Sequence, residues 1–504
     1  MSRSRLRLVL ACSAALVIVA PLAWLWQASL VPSTYSVMDM GTLDYGGGPR
    51  PAGHDDEHAM GDMQMAGMSH GEETVSVADL VADADGPPDV EVDLLAQQGE
   101  VTLESGRTVA GYSLNGSSPG PVIEANQGDL VEVTVRNESV TAGMTLHWHG
   151  VDVPNAEDGV AGVTQDAVPV GGEHTYRFVA EQAGTYWYHS HQVSHEQVIG
   201  GLFGTLVVHP QDSQDDQDQV VDAMAVAHTY SGTRTINGFE REASFEAEPG
   251  QRVRVRAVNT DNSPTQIWAG APYVVRAVDG YDLNEPTPVT DTSVTLTGGA
   301  RIDLEVTVPD DGSAVRVHVG PTSLVVGPEG ASAPEAPQPT EKLDLLTYGS
   351  PQELPFDVSD PDRVFDYDIG RRPGFLDGKP GLWWTVNGEM FPDVPMYVVR
   401  EGDVVVMKIH NGSGEDHPMH LHGHHAVVLS RDGVKATGSP WWVDSLAVDP
   451  DETYEIAFLA DNPGLWMDHC HNLPHARDGL LAHLMYEGVD TPFRIGGERR
   501  NEPE

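Results

Sequence analysis

The stretch HCHNLPH, residues 469 to 475, places three imidazoles and one thiol within a single short segment. Successive side chains of a β-strand point to opposite faces, so Cys470 would face one side while His469 and His471 face the other. Thiolate and imidazole are both good ligands for transition metals. One strand is therefore predicted to contribute ligands to two separate metal sites.

Three further motifs are rich in histidine. They read HWHG, YWYHSH and HPMHLHG, and they contain His147, His149, His189, His191, His417, His420 and His422. Cys470 with His417 and His475 forms a His2Cys set, which is typical of a blue-copper electron-transfer centre. The six remaining histidines of these motifs are expected to join His469 and His471 at a second site, where eight imidazoles can hold about three copper ions.

An internal repeat indicates how the motifs are positioned. An Asn-Gly turn is followed by a glycine that opens an alternating strand, and the three copies of this strand end at Asn137, Asn259 and Asn411. Histidine motifs follow the first and third copies, whereas Ile267 and Ala269 occupy the corresponding places after the second copy. Three repeat units are predicted. The second metal site should lie between the first and the third.

Composition favours β-structure throughout the chain. The 504 residues include 53 glycines and 36 prolines, and short Val/Ile/Thr-rich segments alternate with turn residues, which predicts β-sandwiches or barrels. Acidic and proline-rich linkers bound the units at residues 89–210, 220–327 and 343–490. The net charge of -48, from 76 acids and 28 bases, disfavours a nucleic-acid partner.

The N-terminal region is expected to export and tether the protein. Three arginines precede an uncharged run over residues 8–31 that is long enough to span a bilayer, so residues 1–31 are interpreted as a signal-anchor. A cleaved signal peptide, giving a secreted protein, and lipid attachment at Cys12 are the alternatives. Each of these places the body outside the cytoplasm.

Residues 32–88 are predicted to form a disordered acidic tether, because they are poor in large apolar residues. Its methionines and histidines would either bind copper or belong to a plain linker. They are Met38, Met40, Met60, Met63, Met65, Met68, His54, His58 and His70.

The four histidine motifs, in this order across three repeats, resemble those of the three-domain multicopper oxidases, the family of laccases and cuprous oxidases. The resemblance covers about residues 90 to 490 and implies three cupredoxin-like Greek-key domains that hold four copper ions. It assigns the type 1 copper to His417, Cys470 and His475, and the type 2 copper to His147 and His420. It assigns the type 3 pair to His149, His189, His191, His422, His469 and His471.

The same resemblance bears on redox potential and proton supply. Leu480 stands where many relatives have an axial methionine, and an alkyl group cannot coordinate, so a raised type 1 potential is expected unless Met485 or another side chain supplies a ligand. Asp158 matches an acid near the type 2 copper, where a carboxylate can relay protons. The second acid of the family is replaced by Ala476, which makes Asp478 the candidate substitute.

The leading hypothesis for function is a laccase-like oxidase that takes single electrons from phenols or aromatic amines and reduces O2 to water. A cuprous oxidase for copper tolerance is the alternative, which the Met/His-rich segment and the acidic surface favour. The hypothesis of another class is a non-catalytic copper-binding scaffold. A scaffold would have no need for the complete set of ten histidines and Cys470.

Overall fold

The computed structural model describes residues 3–49, 74–211 and 220–504. The described part of the chain is mostly β-structure, with far fewer residues in helices than in strands. Six large sheets are present among the described residues, two from each of three successive stretches of the chain. The predicted all-β class is therefore confirmed.

The first element is helix α1, which spans Arg3–Ala28. The residue after it contacts a hairpin of the third unit, where the hydroxyl of Ser29 accepts a hydrogen bond from the backbone N–H of Gly378 (3.2 Å). No helix in the described part of the chain is both long and apolar enough to cross a bilayer. The membrane-spanning segment expected over residues 8–31 is thus not supported.

The expected tether over residues 32–88 is ordered at both ends, which corrects the prediction. Its described elements are strand β1 (Thr34–Tyr35), a 3-10 turn (Val37–Asp39), strand β2 (Thr42–Asp44), strand β3 (Val75–Ser76) and a second 3-10 turn (Val77–Asp79). Val37, Val77 and Met40 are buried in the hydrophobic core, and Met38 packs against it. Burial of these few apolar residues holds the segment in place. The other methionines and histidines expected in this segment lie outside the described residues.

The first unit is built from two four-stranded sheets with the orders β5-β4-β7-β9 and β6-β11-β10-β8. Its elements are β4 (Val90–Thr102), β5 (Thr108–Leu114), β6 (Val122–Asn126), β7 (Leu130–Asn137), β8 (His147–His149), a 3-10 turn (Asn155–Glu157), β9 (Glu173–Val179), β10 (Gly184–His189), α2 (Ser194–Gln197) and β11 (Phe203–His209). Strands β8 and β10 are neighbours, which brings the two histidine motifs of this unit together.

The second unit has a seven-stranded and a six-stranded sheet. Its strands are β12 (Val220–Tyr230), β13 (Thr233–Ile236), β14 (Phe239–Glu240), β15 (Glu242–Glu246), β16 (Arg252–Asn259), β17 (Thr265–Ala269), β18 (Tyr273–Val278), β19 (Tyr281–Asp282), β20 (Thr292–Leu296), β21 (Arg301–Thr307), β22 (Val315–Val319), β23 (Thr322–Gly327) and β24 (Glu341–Lys342). Ile267 and Ala269, at the places of the missing histidines, are buried in its core.

The third unit completes the fold, and its sheets incorporate β2 from the N-terminal segment. Its elements are β25 (Arg363–Leu376), β26 (Lys379–Val386), β27 (Pro395–Val399), β28 (Val404–Asn411), β29 (His417–Leu421), β30 (Ala426–Arg431), β31 (Val434–Lys435), β32 (Trp442–Val443), β33 (Ser445–Val448), β34 (Thr453–Leu459), β35 (Leu465–Cys470), α3 (Leu473–Arg477), β36 (Leu481–Tyr486), β37 (Val489–Asp490) and β38 (Ile495–Gly496). Strand β35 lies between β29 and β36, in the middle of one sheet.

The repeated asparagines and turns have structural roles that explain their recurrence. Asn115 and Gly116 both have positive φ, 54° and 81°, as a tight hairpin turn of type I′ requires, and the other two Asn-Gly pairs do the same. At the end of the third repeated strand, the amide of Asn411 donates to the carbonyl of Glu415 at 2.7 Å. This bond fixes the loop that leads into His417. The repeat therefore positions the first ligand candidate of the motif that follows it.

Candidate metal centres

Strand β35 ends with the first two residues of the HCHNLPH stretch, His469 and Cys470. It pairs with the histidine-bearing strand β29. His469 lies opposite His420, and Cys470 lies opposite Met419. Residues opposite each other in an antiparallel pair share a face of the sheet, whereas consecutive residues do not. Imidazoles therefore line one face of this strand pair and the thiol of Cys470 lies on the other.

The thiol of Cys470 meets two imidazoles on its side of the sheet. Its Sγ lies 3.5 Å from Nδ1 of His417 and 3.8 Å from Nδ1 of His475, and the two nitrogens are 3.2 Å apart. His417 comes from β29 and His475 from α3, the short helix that follows β35. The three donor atoms are close enough together to hold one metal ion.

The chemistry of this donor set fits copper. Burial raises the pKa of the Cys470 thiol well above its usual value, so a thiolate there needs a neighbouring positive charge. Burial, followed by the charge of His475, lowers the pKa of His417 to about 3, which keeps this imidazole neutral and able to coordinate. Two imidazole nitrogens with one sulfur are the ligands of a blue-copper centre.

Two apolar side chains pack beside the His2Cys set. The ring of Trp384 lies 4.8 Å from the ring of His417 and 4.4 Å from that of His475, measured between centroids. Leu480 is fully buried, and its backbone N–H donates to the carbonyl of His475 at 2.9 Å. Its own carbonyl accepts from the N–H of Cys470 at 3.1 Å. These backbone bonds hold Leu480 beside Cys470 and His475.

Eight imidazoles converge on the other face, between the first and third units. They are contributed in pairs by β8 and by the C-terminal ends of β10, β29 and β35 with the residues just after them, and all are buried: His147, His149, His189, His191, His420, His422, His469 and His471. The Nε2 atoms of His147 and His420 are 3.4 Å apart, and those of His422 and His469 are 3.2 Å apart. The first of these short separations links a ligand candidate of the first unit to one of the third.

Several nitrogens of this cluster have no hydrogen-bond partner although they are buried. Both ring nitrogens of His191 and of His471 are unpaired, as are Nδ1 of His149 and Nε2 of His189. An unpaired buried polar atom is costly, and such atoms call for a ligand. Burial also lowers the pKa of His191 and His471 well below the usual value, so these rings are neutral. Neutral, inward-facing imidazole nitrogens fit a cluster of copper ions.

Two buried aspartates, Asp158 and Asp444, accept hydrogen bonds from other ring nitrogens of the cluster. Nδ1 of His422 donates to Asp158 Oδ1 at 3.0 Å, and Nδ1 of His147 donates to the carbonyl of Asp158 at 2.9 Å. Asp444 accepts from Nε2 of His149 at 3.1 Å through Oδ1. Its carbonyl accepts from Nδ1 of His420 at 2.9 Å. Such contacts fix the tautomer and direction of each ring.

The two acids that the sequence suggested for proton transfer occupy different environments. Asp158 is buried and touches the cluster, as expected. Asp478 lies at the surface instead, with its carboxylate 2.9 Å from the guanidinium of Arg477, and its charge acts on His475 of the His2Cys set. This position gives no support to Asp478 as the substitute for the acid missing at Ala476.

Glu504 brings a carboxylate to the cluster that the sequence did not predict. Its Oε1 lies 3.2 Å from Nδ1 of His469 and 3.9 Å from Nε2 of His191, and the hydroxyl of Ser194 donates to Oε2 at 2.6 Å. Burial raises the pKa of Glu504 to about 8. The residue lies beyond the repeats, so no motif or spacing pointed to it.

His425 adds a cation to the junction of the three units. Its Nδ1 lies 3.2 Å from Asp152 of the first unit and its Nε2 lies 3.2 Å from Oδ2 of Asp444. Nε2 also contacts the carbonyl of Asp279 from the second unit at 3.1 Å. Burial opposes the charge on His425, but the two carboxylates outweigh it and raise its pKa to about 10. No sequence pattern distinguished this histidine from its neighbours.

Comparison with known proteins agrees with this geometry. Two family models described as multicopper oxidase match residues 95–213 and 361–488. Multicopper oxidase MmcO of Mycobacterium tuberculosis is 28% identical over 441 residues, which cover 76% of this chain and 84% of that protein. Laccase-1 of Melanocarpus albomyces is also 28% identical, over 77% of this chain and 76% of the relative.

A solved structure supports the same relationship. The multicopper oxidase of Pseudomonas thermotolerans superposes with a TM-score of 0.64 at 27% sequence identity, over 79% of this chain and 98% of that one. The matched regions include all four histidine motifs. The chain thus carries two multicopper oxidase domains and is a copper-dependent oxidoreductase that uses O2.

Proposed function

We propose that this protein is a laccase-like oxidase that couples one-electron oxidation of phenols or aromatic amines to the four-electron reduction of O2 to water. The observation that carries the proposal is the arrangement around β35. Cys470 lies in the His2Cys set on one face, and its neighbours His469 and His471 lie in the eight-imidazole cluster on the other. A single peptide unit thus separates Cys470, at the site of electron entry, from each of its neighbours at the site of O2 reduction.

The copper assignments follow the resemblance and agree with the contacts. Type 1 copper would be held by His417, Cys470 and His475, and type 2 copper by His147 and His420. The type 3 pair would be held by His149, His189, His191, His422, His469 and His471. When bound, these four copper ions would accept single electrons from the donor and supply four electrons to O2. The alkyl side chain of Leu480 offers no axial donor, which favours a raised type 1 potential.

The rim beside the His2Cys set is suited to an organic donor. Nε2 of His475 lies 3.5 Å from the carboxylate of Glu415, whose side chain is 47% exposed. A phenol or an aromatic amine must lose a proton as it loses an electron. A carboxylate at the rim can accept the hydrogen bond from the O–H or N–H of such a donor and then its proton.

Arg371 favours one of the two candidate donor classes. Its guanidinium forms an ion pair with Glu415 at 2.6 Å and lies 4.4 Å from the ring centroid of Trp384. Because Glu415 is already paired with a cation, Cu(I) would have to compete with Arg371 for this carboxylate. A neutral aromatic donor gains from the hydrogen bond without having to displace Arg371. The alternative, a cuprous oxidase, draws support from the net charge of -48.

Asp158 is the group of this chain that we assign to proton transfer at the cluster. It is buried and contacts His422 and His147 at the ring nitrogens that do not face the other imidazoles. A carboxylate in that place can hold a proton close to where O2 is reduced and release it as reduction proceeds. The resemblance suggested the same role.

Oxygen uptake by the copper-loaded protein tests the donor class. A methoxyphenol and Cu(I) are compared as donors for the unaltered chain and for Glu415→Gln, with Glu389→Gln as a control at another exposed Arg–Glu pair of the same unit. We expect uptake with the phenol, and kcat/KM for the phenol reduced in Glu415→Gln alone. Uptake with Cu(I) but not with the phenol would support the cuprous oxidase. No uptake with either donor would refute both enzyme assignments.

We also infer that the protein works outside the cytoplasm. Three arginines before an uncharged N-terminal run are typical of export signals. Cell fractionation with an antibody against the folded body tests this inference. A protein found only in the cytoplasmic fraction would contradict it.

A further inference from the structure

The middle unit reaches the eight-imidazole cluster although it contributes no histidine to it. The turn that precedes β21 places Gly299 against two ligand candidates, where a Cβ would lie 2.9 Å from His149 and 3.0 Å from His471. The carbonyl of Gly299 accepts a hydrogen bond from the indole of Trp187 at 2.9 Å. The turn is therefore fitted closely to the first unit, with no room for a larger residue.

Arg301, two residues further on, binds to both neighbouring units. It is completely buried, and its two terminal nitrogens donate to the two carboxylate oxygens of Asp444 in the third unit at 2.7 and 2.6 Å. Its Nε donates to the carbonyl of Thr185 in the first unit at 2.9 Å. A bidentate guanidinium–carboxylate pair is planar and directional, so Arg301 fixes the orientation of the Asp444 side chain.

Asp444 in turn fixes one ligand candidate of each outer unit. Its Oδ1 accepts from Nε2 of His149, and its carbonyl accepts from Nδ1 of His420. The middle unit holds the backbone here as well, since Asp279 Oδ2 accepts from the N–H groups of Asp444 and Ser445 at 3.2 and 3.1 Å. Residues of the middle unit thus hold Asp444 both at its side chain, through Arg301, and at its backbone, through Asp279.

We propose that Arg301 is a positioning residue for the copper cluster, through which the copper-free middle unit sets the relative orientation of the imidazoles of the first and third units. The proposal rests on the copper sites assigned above. It gives the middle unit a specific role, because without Arg301 the Asp444 side chain would keep His425 and Ser445 beside His149 but lose the bidentate pair that fixes its plane. Removal of Arg301 also takes away one of the two cations that compensate this buried carboxylate.

The test compares Arg301→Lys and Arg301→Gln with Arg256→Lys and Arg256→Gln. Arg256 is a matched control, because it is also a buried arginine of the middle unit that contacts Thr185 and binds carboxylates, those of Asp303 and Asp222. Copper content, the blue type 1 absorption and the electron paramagnetic resonance signal of type 2 copper are measured for each full-length variant. The type 1 band reports whether the third unit is folded.

We expect both Arg301 variants to bind cluster copper about 10- to 100-fold more weakly and to show an altered type 2 signal, with the type 1 band retained. The Arg256 variants should match the unaltered protein. Asp444→Asn serves if Arg301→Gln does not fold, and it should give the same defect as Arg301→Lys, with no additional loss when the two are combined. A type 2 signal and copper content unchanged in Arg301→Lys and in Asp444→Asn would overturn the proposal. Absence of cluster copper from the unaltered protein would instead refute the site assignment.

Discussion

Replacement of Asp158 by alanine should weaken copper binding at the cluster while sparing the His2Cys set. The carboxylate accepts from Nδ1 of His422 at 3.0 Å, and both groups are buried. Its removal leaves a buried N–H without a partner, at a cost of about 1–3 kcal/mol. Loss of an outer partner of a metal ligand typically lowers metal affinity by about 10- to 100-fold, or about 1.4–2.8 kcal/mol. The cost of the unpaired N–H and the expected loss of copper affinity are therefore of similar size.

Asp158→Asn separates positioning from proton transfer. Asparagine keeps an oxygen that can accept from His422, so copper content should remain near that of the unaltered protein. It cannot carry a proton, so O2 reduction should slow by about 100- to 10,000-fold. The neighbouring acid offers a control: Glu157→Gln alters a buried carboxylate that accepts from the backbone N–H of Arg177 at 3.0 Å rather than from an imidazole.

The assay is a titration of each variant with a copper chelator. The blue absorption follows type 1 copper, and the paramagnetic signal follows type 2 copper. The Asp158 carboxylate also lies 3.1 Å from Nδ1 of His147, a type 2 ligand candidate. We therefore expect Asp158→Ala to lose type 2 copper at lower chelator concentrations than Glu157→Gln, with equal retention of the blue band. Equal loss of type 2 copper from these two variants would refute the positioning role. Unchanged turnover in a fully loaded Asp158→Asn would refute the proton-transfer role.

Three further predictions concern the type 1 reduction potential, the pH dependence of stability and the Glu504 carboxylate at the imidazole cluster. Leu480→Met should lower the type 1 reduction potential in a redox titration, because a thioether adds a donor to the cupric state; an unchanged potential would mean that the side chain does not reach the copper. His425 has a pKa raised to about 10 in the folded state against 6.5 in the unfolded state, so its contribution to stability is complete below pH 6.5 and disappears as pH rises through 10. The free energy of unfolding should therefore fall by up to about 1.4 kcal/mol per pH unit in this window, and His425→Gln should reduce that slope in urea titrations at pH 7, 8 and 9; equal slopes would contradict the assignment. Glu504→Ala should weaken cluster copper in the chelator titration whereas the exposed neighbour Glu502→Ala should not, and equal behaviour of the two would show that Glu504 does not support His469.

The features that recur in the sequence were the ones that could be predicted from it. Alternation along a strand separates Cys470 from His469 by geometry alone, and antiparallel pairing with β29 preserves that separation in the folded sheet. The repeated turns and asparagines have the same local conformation in each unit because each requires a positive φ or a buried amide. Strand alternation and turn conformation depend only on residues that are neighbours in the sequence, so both can be predicted from it.

Contacts between distant segments could not be predicted in this way. Glu504 and Asp444 contact cluster histidines, and Arg301 contacts Asp444, only because whole segments pack against one another, which no spacing encodes. Residues 32–49 were predicted to be disordered because their composition is that of a linker. In the structure Val37 and Met40 pack in the hydrophobic core, a contact with distant residues that composition does not show. A few buried residues are enough to order a short segment on an existing core.

In the proposed oxidase, electrons enter at the His2Cys set and leave four at a time at the imidazole cluster. The most direct measurement is the ratio of donor oxidised to O2 consumed in steady state, with hydrogen peroxide followed in parallel, for the copper-loaded protein and for Cys470→Ser. We expect four one-electron equivalents per O2 without peroxide, and no turnover in Cys470→Ser although its cluster copper remains. Two equivalents per O2 with accumulating peroxide, or unchanged turnover without the thiol, would contradict it.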